Sequence, residues 1–336
     1  MARLMIYGAT GYTGRLVSEQ AKRLGLDFVL AGRSEGKLKS LSNYLKIPYV
    51  KFDVDAKTID ENLAEQNTKV LLNCAGPFVY TASLMIDACL RNGIHYLDTA
   101  AELESYQLSQ EKSEEAKQAN VMLLPGCGGA AAVLDCLAGH VVDKMQNDGK
   151  RVTSLDVAMH ISGPLTRGTA LSAATMDTTA TSLHCVDGNL VPRTKQIKKD
   201  FDFNDGRGAV PCLSFMLAAV ATMPSSTGVQ NIGTFANTTD AEFPSMDQIP
   251  YMAEGPTEAE RNRNPYHAAV AVNANDGTVR QATVETVNGY SFTGILTANA
   301  AKRVSEGNVK PGFQTAAGLF GNNFVTEVLG SRIQDF

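Results

Sequence analysis

Apolar residues along this chain come in short runs that alternate with stretches of helical periodicity, and glycines punctuate the changes. The first strand is expected over residues 3–7, Arg-Leu-Met-Ile-Tyr, running directly into glycines. Leu16, Val17, Ala21 and Leu24 then recur at the spacing of one helix face, and Gly25 stops the helix. A second apolar run follows at 27–31, a helix opens at 32–37, and residues 48–54 and 69–74 supply a third and a fourth strand. Residues 81–92 predict a helix closed by Gly93. They are followed by a strand at 95–99, a polar helix near 103–119 and a strand at 120–124. Strands alternating with helices in this way form a parallel sheet covered on both faces, an α/β doubly wound arrangement.

The period changes after Pro125. Residues 130–145 read as one more helix. Ser154–Ile161, His267–Ala274 and Arg280–Val287 then alternate apolar and polar positions. That pattern predicts a largely antiparallel sheet with one packed face and one wetter face. Asp187-Gly-Asn189 predicts a turn, and residues 192–208 and 239–265 show no regular period. The chain shows no internal repeat.

The glycine run carries the first chemical signal. Gly8, Ala9, Thr10, Gly11, Tyr12, Thr13 and Gly14 sit between a predicted strand and a predicted helix. Glycine there permits positive φ and close approach of the backbone to a diphosphate, and the next helix offers its amides and positive dipole end. The spacing is GxxGxxG rather than GxGxxG, which moves the phosphate contact along the loop. A tight structural turn would use the same glycines, but the alternation downstream supports a dinucleotide site.

Cofactor choice lies at the end of the second strand. An NAD site places a carboxylate there for the ribose hydroxyls. This chain has Ala31-Gly32-Arg33-Ser34, with Lys37 one turn on. A guanidinium pairs with a 2′-phosphate in bidentate fashion, whereas a carboxylate repels it. NADP(H) is therefore expected over NAD(H). Asp53, after the third strand, either accepts from the adenine amino group or caps a turn.

The remaining composition narrows the classes. Thirty Lys and Arg against 35 Asp and Glu give a formal charge of −5, with no basic cluster, so nucleic acid is not the expected partner. The N-terminal apolar run is too short for a signal peptide, and the longest later stretch, Phe215–Ala221, is far below membrane-spanning length. Six cysteines without CxxC pairs or histidine partners at metal spacing read as reduced thiols in a cytoplasmic protein, with no metal site.

Gly8-Ala-Thr-Gly-Tyr-Thr-Gly14 with Leu30-Ala-Gly-Arg33 resembles the saccharopine dehydrogenase-like oxidoreductases, including their trans-acting enoyl reductase branch. Asn73-Cys-Ala-Gly-Pro-Phe78 with Tyr80 is similar to that family's strand-four loop. His95-Tyr-Leu-Asp-Thr-Ala-Ala-Glu102 is similar to its strand-five segment. Gly168-Thr169 with Ser172, and Lys310-Pro-Gly-Phe-Gln-Thr315 with Leu319-Phe-Gly321, extend the likeness towards the C-terminus. The resemblance implies a Rossmann domain over 1–125 and an α+β substrate domain over 126–310 whose sheet supports a homodimer. It also implies a segment 311–336 that packs back on the first domain. Three departures border the expected pocket: Thr81 and Ala101 replace glycines, and Gly126-Cys-Gly-Gly-Ala-Ala-Ala132 replaces Gly-Phe-Asp-Ser-x-Pro-Ser.

In such a sheet the ligand lies beyond the carboxyl ends of the strands, at the switch in strand order. Cys74, Ala75, Gly76, Pro77 and Phe78 end strand four and should border ribose and nicotinamide, with Phe78 either against the ring or in the core. Hydride transfer asks the protein for orientation and for a proton donor where negative charge develops. Tyr80, Asp98 and Glu102 are the candidates, although both carboxylates could instead cap a helix or tie loops together. Thr169 and Ser172 are candidates for hydrogen bonding a small-molecule substrate, with a helix N-cap the other role for Thr169. No tyrosine has a lysine four positions on, so the Tyr-xxx-Lys acid pair of short-chain dehydrogenases is absent. The expected activity is hydride transfer to a C=N, C=O or activated C=C bond. The rival is a redox sensor that holds NADP(H) without turning it over.

Overall fold

The computed structural model describes residues 3–175, 182–240 and 243–336. The chain forms two compact units, 1–129 with 293–314 and 130–292 with 315–336.

The first unit is built on β1 (Leu4–Tyr7), α1 (Tyr12–Arg23), β2 (Phe28–Gly32), α2 (Glu35–Leu45), β3 (Tyr49–Lys51), α3 (Ala56–Glu65) and β4 (Val70–Asn73). It continues through α4 (Ala82–Asn92), β5 (His95–Asp98), α5 (Leu103–Glu111), α6 (Ser113–Gln118) and β6 (Met122–Leu124). All six strands pair in parallel in the order 3-2-1-4-5-6, so strand order reverses between β1 and β4. β1, β2 and β4 are buried along their whole length, which is why they read as unbroken apolar runs. The polar helix expected over 103–119 is two helices that break at Lys112. A further helix, α3, occupies 56–65, where Asp55 accepts from the Thr58 amide at 3.0 Å.

The second unit starts with α7 (Ala130–Asn147) and β7 (Val152–Ser162), followed by α8 (Arg167–Thr175), β8 (Leu183–Val186), β9 (Asn189–Pro192), β10 (Lys198–Asp202) and β11 (Ala209–Ser214). Then come α9 (Ala219–Thr227), β12 (Ile232–Asp240), α10 (Glu258–Arg263), β13 (Tyr266–Ala274) and β14 (Val279–Thr286). α11 (Gly289–Ser305) belongs from residue 293 onward to the first unit. β15 (Gly312–Phe313) joins the first sheet beside β6. α12 (Ala316–Phe320) and β16 (Arg332–Asp335) belong to the second unit, with β16 against β14. The second sheet runs β10-β11-β12-β7-β13-β14-β16. It is antiparallel except for β7 and β12, which are parallel neighbours. β8 and β9 form a hairpin on the expected turn, with Asp187 at φ 46° and Gly188 at φ 81°.

The wetter face expected for this sheet does not exist at β13, which is buried on both sides apart from Asn273. The reason lies in the stretch expected to be irregular. β11 pairs with β12 only through Leu213 and Ser214, and the β10–β11 hairpin then folds over the sheet. Phe201, Phe203 and Cys212 of this segment pack with Ala158, Phe235 and Ala269 of β7, β12 and β13. At the hairpin tip Asn204 Nδ2 donates to Gln334 Oε1 of β16 at 2.7 Å.

Candidate dinucleotide-binding site

The loop after β1 continues the β1–β2 pairing: the Gly8 and Ala9 amides both donate to Ala31 O, at 3.0 and 3.2 Å. Gly8 has φ +77°, and a Cβ there would lie 2.8 Å from Ala75 N. The Gly11 amide donates back to Gly8 O at 3.0 Å, and a Cβ on Gly14 would lie 2.1 Å from that same oxygen. The loop is thus folded tightly on itself. Ala9 is buried within it, and Thr10, Tyr12 and Thr13 are half-buried.

Gly11 N-caps α1 with no side-chain hydrogen bond, and the first turn holds no acidic residue. The first ladder bond of the helix runs from Arg15 N to Gly11 O at 2.9 Å. The amides of Thr13 and Gly14 therefore precede the ladder, at the positive end of the helix dipole. A Cβ on Gly11 would meet only Gly8 O, at 3.4 Å. Open space before an uncapped helix N-terminus, at the strand-order switch, fits a diphosphate.

Arg33, Ser34 and Lys37 are exposed just beyond β2, and Asp53 is exposed beyond β3. Ser34 N-caps α2 without a side-chain bond. Glu35 stands in the first turn of α2, but its carboxylate accepts from the Tyr49 hydroxyl at 2.6 Å. The Tyr7 hydroxyl donates to Phe52 O at 3.0 Å. Burial pushes that phenol up to about 12, while the Arg33 guanidinium draws it back down and Asp53 adds to the rise. Arg33 and Asp53 thus both act on one point, the mouth between β1 and β3.

Beyond β4, Cys74, Ala75 and Pro77 are half-buried, Gly76 is exposed and Phe78 is buried. The Gly76–Pro77 bond is cis. Burial pushes the Cys74 thiol up to about 12, against a hydrogen bond from Thr99. Phe78 opens a single 3-10 turn that ends on Tyr80, whose side chain is 68% exposed. Glu102 is buried, and its carboxylate accepts from Phe78 N at 3.3 Å and Ala101 N at 3.0 Å. Asp98 is fully buried at the end of β5. It accepts four hydrogen bonds, from Tyr96 Oη (2.9 Å), Ser105 Oγ (2.8 Å), Ala100 N (2.9 Å) and Gly126 N (2.6 Å). Burial outweighs these donors and raises its carboxyl to about 6.

Sequence reasoning overlooked the partners of Asp98. Tyr96 lies two residues before it on the same strand face, and Asn73 is the one polar residue of β4; those two facts were the available signals. Within the departure at Gly126–Ala132, Gly128 has a local reason: a Cβ there would lie 2.5 Å from Thr297 N of α11. At Gly126, a glycine in both patterns, a Cβ would clash with the Tyr106 hydroxyl.

Thr169 and Ser172 lie on α8 in the second unit. The N-cap role weighed for Thr169 belongs to Thr166, whose Oγ1 accepts from Thr169 N at 3.0 Å. Thr169 Oγ1 accepts from Tyr290 Oη at 3.2 Å and from Thr166 Oγ1 at 2.9 Å. All six cysteines are free, five of them buried. Among the described residues no group of three or more His, Cys, Asp or Glu could hold a metal ion, and no helix is long and apolar enough to cross a membrane.

A parallel sheet of order 3-2-1-4-5-6, with a glycine-hinged loop and an uncapped helix at its switch point, is a dinucleotide-binding domain of the Rossmann type. Residues 4–124 match the family model of the saccharopine dehydrogenase NADP binding domain. A lipid droplet localized protein of Caenorhabditis elegans is 31% identical over 144 residues, covering 37% of this chain and 32% of that protein. The human saccharopine dehydrogenase-like oxidoreductase is 30% identical over 145 residues, covering 37% and 34%. The carboxyaminopropylagmatine dehydrogenase of Synechocystis is 33% identical over 141 residues, covering 38% and 34%. The matched region thus spans about a third of each of these relatives. The whole chain shares its fold with apo saccharopine dehydrogenase (L-Glu forming) of Saccharomyces cerevisiae, at a TM-score of 0.67 and 12% identity, with both chains covered in full.

Proposed function

We propose that this protein is an NADP(H)-dependent oxidoreductase that transfers hydride to a C=N, C=O or activated C=C bond of a small molecule. The observation that carries the reading is Arg33, exposed at the carboxyl end of β2, where an NAD site would place a carboxylate. The nearest acid on α2, Glu35, is occupied by Tyr49. The names of the human and Synechocystis relatives, an oxidoreductase and a dehydrogenase, support the redox assignment.

In this reading the amides of residues 11–14 hold the diphosphate, while Arg33, Ser34 and Lys37 take the 2′-phosphate and Asp53 borders the adenine. Residues 74–78 border the ribose and nicotinamide. Bound nicotinamide supplies the hydride. Tyr80 is the acid open to solvent at this end of the sheet and offers the proton where charge develops, while Asp98 and Glu102 are held by loop donors. Thr169 and Ser172 are assigned to the substrate. The reading is completed by a homodimer acting in the cytoplasm.

Fluorescence titration with NADPH and NADH tests the cofactor, and loss of reduced-nicotinamide absorbance across imines, ketones and enoyl thioesters tests the chemistry. Tighter NADPH binding and oxidation with one substrate class are expected. The engagement of both Asp98 and Glu102 favours a second reading, an NADP(H)-holding redox sensor. Tight binding without turnover over the whole panel would establish that instead.

A further inference from the structure

The hydroxyl of Thr81 opens a hydrogen-bond chain through the interior of the first unit. Thr81 Oγ1 donates to Ala75 O at 2.8 Å and accepts from Asn73 Nδ2 at 3.1 Å. Asn73 Oδ1 accepts from Ala75 N at 2.9 Å, which fixes which side of the amide is nitrogen. Asn73 Nδ2 also donates to Tyr96 Oη at 3.3 Å, and Tyr96 Oη donates to Asp98. Asn73, Tyr96 and Asp98 are each fully buried.

We infer that Asp98 is the anionic anchor of this chain, and that through Tyr96, Asn73 and Thr81 it holds the loop 74–81 in the shape that receives the nicotinamide half of the dinucleotide. It is a positioning residue, not the proton donor. The inference rests on the dinucleotide reading above.

The argument is a count of donors. Asp98 has four acceptor positions, and Tyr96, Ser105, Ala100 and Gly126 fill all four. The Asn73 amide hydrogens point to Thr81 and to Tyr96, and the Tyr96 hydroxyl hydrogen points to the carboxylate. Protonating Asp98 puts a fifth hydrogen where the acceptors are already spent. One donor must then turn away, and it is one of the two hydroxyls on Oδ2, Tyr96 or Ser105, since the backbone amides are fixed by the fold. A turned Tyr96 hydroxyl meets the Asn73 amide hydrogens, so the strain passes to Ala75 and Thr81, the two ends of the 74–81 loop. A buried polar chain of this kind is stable only when every member is satisfied. The titratable groups facing Asp98 are Tyr96, Cys74 and Cys127, all raised by burial and therefore neutral, so none of them takes over its charge.

The two halves of the dinucleotide separate this role from general stability. Tyr96→Phe and Thr81→Val remove one hydroxyl each and little volume. Both should weaken NADPH about tenfold, as expected for one lost link in a buried network, while 2′,5′-ADP, which lacks nicotinamide, binds within twofold of wild type. Thr81→Ser should restore NADPH binding. Between pH 7.5 and pH 5.5 the ratio of NADPH affinity to 2′,5′-ADP affinity should fall in the wild type relative to the same ratio in Tyr96→Phe, where it should be low. Titration of the ligand phosphates, including the 5′-monophosphate that 2′,5′-ADP has and NADPH lacks, is common to both proteins and cancels in that comparison. Unchanged NADPH binding in both variants, or equal loss of the two ligands, overturns the inference. A wild type that takes up neither ligand overturns the dinucleotide reading itself, and this inference with it.

Discussion

The carboxyl of Asp135 on α7 receives the hydroxyl of Thr222 on α9 at 2.7 Å, and both side chains are buried. Burial raises this carboxyl to about 8, and Thr222 is the partner that offsets it. The folded protein therefore keeps a proton on Asp135 over a range where the unfolded chain, with an ordinary carboxylate, has lost it. Stability from this group is fully present below about pH 4 and is lost as pH rises towards 8.

Asp135→Asn keeps the acceptor for Thr222 and removes the titration. We expect its advantage over wild type to be smallest at pH 5 and to grow by several degrees of melting temperature at pH 8, on the order of 2–4 kcal/mol of recovered stability between the two. Thermal unfolding of the two proteins from pH 5 to pH 9 checks this; parallel curves across the range would remove Asp135 from the account.

The glycines of the first loop make separable predictions. A methyl group on Gly14 would lie 2.1 Å from Gly8 O, so Gly14→Ala should loosen the loop and lower the melting temperature. Gly11 has φ −72° and its Cβ would meet only Gly8 O at 3.4 Å, so Gly11→Ala should fold normally. Its methyl group enters the space before the helix N-terminus, and NADPH affinity should fall tenfold or more. Calorimetric scanning beside fluorescence titration separates the two effects, and an NADPH affinity untouched by Gly11→Ala would move the diphosphate elsewhere.

That loop was readable because its information is local. A buried strand, hinge glycines and an uncapped helix lie within twenty residues, and Arg33 follows at the end of the next strand. The alternating elements of the first sheet were readable for the same reason, since parallel strands buried on both faces are unbroken apolar runs. Long-range structure was not. Nothing near Lys198–Ser214 announces that Phe201 and Phe203 will pack on Ala158 and Ala269, because the partners are distant in sequence. Asp98 and Glu102 could be placed at strand ends, but their donors come from Gly126 and Phe78, so the choice between proton transfer and loop anchoring needed coordinates. α3 had a readable signal in Asp55 followed by Thr58, and the polar surface of that helix hid it.

Arg33→Ala tests cofactor choice directly. Removing a bidentate, charge-assisted contact should weaken NADPH roughly 10- to 100-fold and NADH less than twofold. Lys37→Ala, a point charge one turn on, should cost less. High salt should narrow the gap between wild type and Arg33→Ala, because the site is exposed. Equal loss of both nucleotides would defeat the assignment of the 2′-phosphate to this residue.

The β10–β11 hairpin should respond to acid. Arg207 lies against the His160 ring, with its guanidinium nitrogens 3.0 and 3.3 Å from the ring nitrogens, and is paired with Asp205 at 2.6 Å. His160 is the cross-strand neighbour of His267. Burial lowers the His267 imidazole, His160 and Arg207 lower it further, and Asp205 and Glu285 oppose them. Its Nδ1 is buried without a hydrogen-bond partner. A folded value below the ordinary one means that stability is present above about pH 6.5 and is lost as pH falls through the folded value. Protonation also places a second cation beside Arg207, on the surface the hairpin covers. Amide exchange over residues 198–214, corrected for intrinsic rate, should therefore be faster at pH 5.5 than at pH 7.5, and His267→Gln should flatten the difference. Melting temperature is the wrong readout, because Asp98 and Asp135 carry the opposite sign over the same range. Phe203→Ala should open the hairpin at both pH values, at a cost of about 3–5 kcal/mol for an aromatic core truncation. Equal protection of the hairpin at both pH values in the wild type would show that the histidine pair does not hold it.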